Sequence, residues 1–323
     1  MEKNVQSYEF TSAIIDYIKI AGISVRKAIA EEPNTPVDVL EFLSRDKESS
    51  VRLSVAKNNN TPTQSLALLS KDENGIVRKN VANNPSASAE TLLLLSMDKN
   101  AAVRCMVVLN PSTSAETIAE LSMDEEWRVR SAIASNTSTP AEILVELSRD
   151  EECVIRSAVA RNTSTPAEIL VELSMAEELS VRSAIASNTS TPAEILVELS
   201  SDEDWNVRGA VIANPNTPIE TITKLSKDES SYVRSYVASN LSTPAETLAE
   251  LSRDEDWCVR NEVAQNLSTP AEILMELSKD EYHYVRENVA QNPNTPIKII
   301  AKLSRDKVNS VRQSARNTLK HKS

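Results

Sequence analysis

The chain has 323 residues, 40% apolar and 25% charged, a composition that argues for a folded protein rather than a disordered one. Its formal net charge of −12 argues against a broad phosphate-binding surface, which needs clustered lysine and arginine. The 3 glycines, Gly22, Gly75 and Gly209, lie too far apart to form a phosphate-cradling loop or a dinucleotide fingerprint.

Residues 1–24 stand outside any repeat and read as an N-terminal cap. Their apolar run, residues 13–20, is interrupted by Asp16 and Lys19 and is too short to span a bilayer. From Val25 onward a Val-Arg or Ile-Arg pair recurs twelve times, always 26 residues apart, the last at Val311. The length is therefore a count of units: eleven complete 26-residue repeats over residues 25–310, then a half-repeat and cap over residues 311–323. Within a unit, positions are counted from that Val or Ile.

Each unit carries two helix starts. Position 22 is Asp in ten of the eleven units, and apolar residues follow it at helical spacing. The expectation is an Asp-capped first helix running through positions 1, 2, 5 and 6 of the next unit. It ends near position 8, an Asn in ten of the twelve units, where a left-handed residue would stop it. The second start is Thr-Pro-x-Glu, as in Thr269-Pro270-Ala271-Glu272. Here Thr would cap, Pro would open the first turn, and Glu would complete a capping box. Leu at position 19 and Ser at position 20 are the same in all eleven units, and Ser is expected to bond nearby backbone.

Neither helix is long enough to persist alone. Stability must come from stacking, with positions 1, 5, 6, 16 and 19 forming one continuous core. Arg at position 2 follows each position-22 slot by six residues, and the two are expected to build an internal Asp–Arg ladder rather than a basic stripe. Ala176 is the one departure from Asp, so Arg182 is expected to lack a partner and to mark a softer seam.

The string Val-Arg-x2-Val-Ala-x-Asn-Pro-x-Thr-Pro-x-Glu-x-Leu-x2-Leu-Ser-x-Asp resembles the bacterial variant leucine-rich repeat, and its Asp-x4-Val-Arg-x2-Val-Ala part resembles HEAT-type repeats. The match covers residues 25–317. It implies an all-α, right-handed superhelical α-solenoid of two-helix units, the second helix of each being 3₁₀. The unit here is longer than is usual in that family, so a true α-helix is also open for that element. Some members hold an N-terminal iron–sulfur cluster on cysteines, but residues 1–104 contain none, so no cofactor is implied. Cys105, Cys153 and Cys258 have no metal-ligand spacing and, without a secretory signal, fit a reduced cytoplasmic setting.

Function is expected where units differ. Trp127, Trp205, Tyr232, Trp257, Tyr282 and Tyr284 fall at positions 24–26, with His283 among them and Tyr236 one turn beyond Tyr232. Acidic clusters such as Asp254-Glu255-Asp256 accompany them. Two readings fit: a ribbon that binds a basic protein segment through cation–π contacts and charge pairing, or rings that merely cover helix ends. Residues 131–148 and 183–200 are identical, which leaves little variation for an active site. His283 and His321 have no catalytic or metal-binding neighbours in sequence, so no enzyme is indicated. The function expected is a non-enzymatic protein-binding scaffold; the alternatives are a HEAT-like nucleic-acid-binding or repair module and a structural array without a ligand.

Overall fold

A computed structural model describes residues 12–322; residues 1–11 of the expected N-terminal cap lie outside the described residues. Every regular element among the described residues is a helix. The chain falls into two compact units, one ending at Ser164 and the other beginning at Thr165. Within each, a nine-residue helix alternates with one of seven or eight residues, as in Gly75–Asn83 followed by Ala89–Ser96. The shorter helix is α-helical rather than 3₁₀, and the last helix, Asn309–Lys322, is the longest among the described residues.

The expected core positions are buried. In one repeat these are Val51, Val55, Ala56, Leu66 and Leu69, each at most 1% exposed. Burying each such leucine contributes about 2 kcal/mol. Position 15 is also inside, as Ile143, Thr91 or Ser65, which the periodicity did not single out. The invariant Ser at position 20 donates to the carbonyl three residues earlier, as in Ser70 Oγ to Ala67 at 2.8 Å.

Three expectations are corrected by the loops. Position-22 Asp does not cap the first helix: it lies two residues ahead of the N-cap, and Asp72 Oδ1 accepts from the Asn74 amide at 2.9 Å. The N-cap itself is position 24, where Asn74, Asn100, Asp204 and Asp256 accept the amide two residues on. Thr at position 11 does not cap the second helix either. Its hydroxyl donates back to the first helix, as in Thr61 Oγ1 to Val55 O at 2.6 Å, and Pro occupies the N-cap with no side-chain bond. Ser88 and Ser114, in the proline slot, do cap.

The third correction concerns Asn at position 8. No residue among those described has positive φ, and Asn84 ends its helix extended at φ −78° and ψ 124°. Its side chain instead bridges repeats: Asn84 Nδ2 donates to Ala56 O at 2.9 Å and Asn58 O at 3.0 Å, and Oδ1 accepts from the Ser86 amide. Asn110, Asn214 and Asn266 repeat the pattern. Buried carbonyls that a helix end would leave unpaired are satisfied this way.

The Arg–Asp ladder is present, in a different register from the one expected. Ten of the twelve position-2 arginines fork onto the Asp twenty residues after them, as in Arg78 Nε to Asp98 Oδ2 at 2.6 Å and Nη2 to Oδ1 at 3.0 Å. For Arg156 that slot is Ala176, and Arg312 follows the last such slot. The residue six before supplies only its backbone, as Asp72 O accepts from Arg78 Nη1 at 2.7 Å. Arg182 is accordingly not orphaned. It holds Asp202 at 2.6 Å, while Ala176 offers its carbonyl at 3.0 Å as any residue would. The expected soft seam at Arg182 is therefore overturned.

Burial pushes the carboxyls of Asp46, Asp72, Asp98 and Asp150 up, but the arginine hydrogen bonds, a backbone amide and nearby positive charges outweigh it and hold them below the usual range. A carboxylate whose pKa is lowered on folding stabilises fully above its unfolded value, about 3.9, and loses that contribution as pH falls through the folded value. Urea midpoints should therefore be flat from about pH 7 to 5 and fall steeply below about pH 4. A midpoint unchanged at pH 3 would count against the ladder as a stabilising feature.

Candidate functional site

The candidate aromatics other than Tyr236 sit at or just before the N-terminal ends of the longer helices, and the ring contacts among the described residues do not join them into one ribbon. In the first unit Trp127 is 36% exposed, and the Arg128 guanidinium lies 4.6 Å from its ring centre. Arg128 also meets Glu126 at 2.8 Å. The other candidate rings belong to the second unit, and all but Tyr236 form two stacks. Trp205 and Tyr232 lie 5.0 Å apart, from consecutive repeats. Trp257 stacks on Tyr282 and on Tyr284, both at 5.5 Å, and His283 adjoins Tyr284 at 4.0 Å. Among the described residues no ring contact joins the two stacks. Such stacking contributes about 0.5–1.5 kcal/mol beyond burial.

The tyrosines lean onto the repeat before: position 26 of one unit faces position 25 of its predecessor, as Tyr232 faces Trp205 and Tyr284 faces Trp257. Tyr236 follows the same rule and covers Gly209: a Cβ there would lie 3.0 Å from the Tyr236 ring. Glycine inside a helix ordinarily costs about 1 kcal/mol relative to alanine. Gly209→Ala alone should therefore show no net gain, because the ring must move, whereas Gly209→Ala in a Tyr236→Ala background should stabilise by about 0.5–1 kcal/mol. Chemical denaturation of the four proteins measures this; an equal gain in both backgrounds would mean that the ring does not rest there.

Carboxylates border both stacks. Glu203, Glu229, Glu255 and Glu281 have side chains 80–93% exposed, one per repeat, each 3.5–3.9 Å from a ladder arginine already committed to its Asp. The Cys258 amide, then Ser231, holds the Asp256 carboxyl low. Arg260, chiefly occupied with Asp280, also stands 5.6 Å from the Tyr282 ring. On the same helices Asn288 donates to Asn261 at 2.7 Å, and burial pushes the neighbouring Glu262 carboxyl up. Sequence reasoning missed Gly209, Glu262 and the Asn261–Asn288 pair. Of these only Gly209, the one glycine well inside a helix, gave a signal.

Chemically the arrangement offers π faces and fixed negative charge, which suit cations. Burial, with Asp256 second, pushes the Cys258 thiol up, so it stays protonated at neutral pH and is a poor nucleophile. No helix among the described residues is long and apolar enough to cross a membrane.

No family model matches the chain, and no curated protein matches it. Among solved structures it is similar to a leucine-rich repeat variant with a novel repetitive structural motif: 25% identity over 69% of this chain and 88% of that one, with a TM-score of 0.55. An engineered protein aligns over 97% of this chain and 99% of its own at 18% identity, but its TM-score of 0.29 carries no weight. The same holds for a structure of Kap95p with RanGDP, at 11% identity, 91% and 46% coverage and a TM-score of 0.35. The chain is an α-solenoid of tandem helix pairs, similar in fold to the leucine-rich repeat variant.

Proposed function

We propose that the chain is a non-enzymatic, cytoplasmic scaffold that binds an extended or helical basic segment of another protein, with its principal site on the second unit. Trp205, Tyr232, Tyr236, Trp257, Tyr282, His283 and Tyr284 supply the contact area, and Trp127 is a separate contact on the first unit. The observation that carries this is the pairing of two solvent-facing aromatic stacks with four nearly fully exposed glutamates at one slot of successive repeats. Lysine and arginine side chains gain both from ring faces and from carboxylates, and neither gain requires an enclosed pocket. Rings that only covered core would not need to stand 41–66% exposed, as Tyr232, Tyr236, Tyr282 and Tyr284 do. Nucleic acid is disfavoured because those carboxylates would repel phosphate. The three cysteines are free thiols, which supports a reducing compartment.

The test is a tryptophan-fluorescence titration with synthetic peptides. Lysine at every third residue suits an extended polyproline II ligand, which carries every third side chain on one face and advances about 9 Å per turn, near the packing distance of adjacent helices. The basic peptide should bind, and added salt should weaken it. Trp205→Ala with Trp257→Ala and Tyr284→Ala, followed by calorimetry, should abolish the binding. Equal binding of an acidic peptide, or undiminished binding by the triple variant, would overturn the proposal.

A further inference from the structure

The aromatic site continues along its helices as a pair of carboxamides. Trp257 and Tyr284 stand one helical turn before Asn261 and Asn288 on Trp257–Gln265 and His283–Gln291, so ring and amide share one face of each helix. The rings meet across the seam at 5.5 Å. One turn on, about 5.4 Å along the axis, Asn288 Nδ2 donates to Asn261 Oδ1 at 2.7 Å. These are positions 4 and 3 of consecutive repeats, and no other seam carries carboxamides in both slots. The repeats at Val129 and Val181 place Ser131 and Ser183 at position 3 and Ala132 and Ala184 at position 4, so the fold does not require amides there.

The two amides do not satisfy each other. Each carboxamide offers two hydrogens and an acceptor oxygen, so the single bond between them leaves a donor on Asn261 and an acceptor on Asn288. The balance is the same whichever amide donates. A side-chain hydrogen bond to the neighbouring Glu262 uses at most one of the Asn261 hydrogens. Both side chains are half-buried, and a groove of about 210 Å³ adjoins them, lined by Gln265, Asn288 and Gln291 among others. A donor and an acceptor side by side match the N–H and C=O of an extended main chain. A polyproline II segment makes no internal hydrogen bonds and presents both groups, whereas a helix spends them on itself. A nucleobase edge offers the same pattern, but its phosphates would meet Glu255 and Glu281, whose side chains are 93% and 80% exposed. We propose that Asn261 and Asn288 bind the main chain of the basic segment whose side chains the rings and glutamates hold, a step that rests on the function proposed above. The site then takes an extended segment and not a helical one. The rings and carboxylates select lysine or arginine, and the amides read the backbone between them.

Titration of the full chain with the lysine peptide described above tests this in two halves. Asn261→Ser with Asn288→Ala installs what other repeats carry at these slots, so circular dichroism should be unchanged. Binding should weaken about 25-fold, the worth of two hydrogen bonds. Its salt dependence should match that of the native chain, because no charge is removed. The second half is a set of the same peptide N-methylated at one residue at a time. At one position or more the methyl group should weaken binding to the native chain about five-fold, the worth of one bond, and have no effect on the amide variant. Undiminished binding by the amide variant, with the triple aromatic variant still inactive, would overturn the main-chain contact and leave the aromatic site standing. Methylation equally harmful to both chains would mean that the amides only support the rings, and would overturn it as well. A native chain that binds no lysine peptide would remove both readings. Tighter binding of a single-stranded oligoadenylate than of the peptide would overturn the choice of a main chain as the occupant.

Discussion

Arg78→Ala lowers the stability of its seam by about 3 kcal/mol, the loss expected when one partner of a buried ion pair is removed. The guanidinium makes four bonds: two to Asp98, and one each to the carbonyls of Asp72 and Glu73. Alanine leaves the Asp98 side chain, only 6% exposed, as an unpaired charge between repeats. The loss stems mainly from that abandoned carboxylate rather than from the attraction given up. Arg78→Met combined with Asp98→Leu should therefore cost less than Arg78→Ala alone. Repeat arrays do not always unfold in one step, so hydrogen exchange along Gly75–Asn83 and Ala101–Leu109 is the sharper measurement. Protection unchanged in Arg78→Ala, or a double variant worse than the single, would remove the ladder as a cause of stability.

Asn84→Asp is nearly isosteric and should cost about 3 kcal/mol at neutral pH. Asn84 is 3% exposed, and its amide nitrogen points at two carbonyl oxygens of the preceding repeat. A carboxylate would place an acceptor against two acceptors and bury its charge. It must take up a proton to fold well, so its folded pKa would rise above the unfolded value of about 3.9. The sign is opposite to that of the native ladder. Well below the unfolded value of about 3.9 the acid is neutral in both states and only the lost amide donor counts; the charge-dependent loss grows as pH rises above that value and levels off past the folded one. Asn84→Ala gives up the same bonds without a charge, so its loss should not vary with pH in that range. Urea melts at pH 4.5 and 7 separate the two; equal losses for the aspartate variant at both would mean that the amide nitrogen is not bonded as described.

Much of the scaffold was legible because its determinants are local. Val51, Val55 and Ala56 recur with helical spacing, and Leu66 and Leu69 do so after a proline, so the paired helices and their buried faces follow from the period. The candidate site was half legible. Trp205, Tyr232, Trp257 and Tyr284 stand out by residue type and position, but their grouping into two stacks depends on how far each ring leans across to the preceding repeat. In sequence Tyr236 is simply one helical turn from Tyr232, and its contact with Gly209 crosses a seam. Phe42, Leu68 and Leu94 occupy a slot that carries Glu or Lys in the other repeats, and only the fold decides that this slot faces solvent.

The sequence by itself determined the repeat length, the two helices per unit, the core positions and the existence of an arginine–aspartate ladder. The tertiary structure decided which partners those polar residues take. In a chain of period 26, the slot six residues before an arginine and the slot twenty after it are the same slot, so periodicity has no means of choosing between them. Ala176 breaks the degeneracy: Arg182, six residues past it, still grips Asp202 twenty residues ahead. Asn84 and Thr61 teach the same lesson. Both have strong local habits as helix stops and caps, yet Asn84 bonds the preceding repeat and Thr61 reaches back to its own first helix. Stacking buries carbonyls that local structure would leave to water, and satisfying them outweighs the preference of either residue for its usual role.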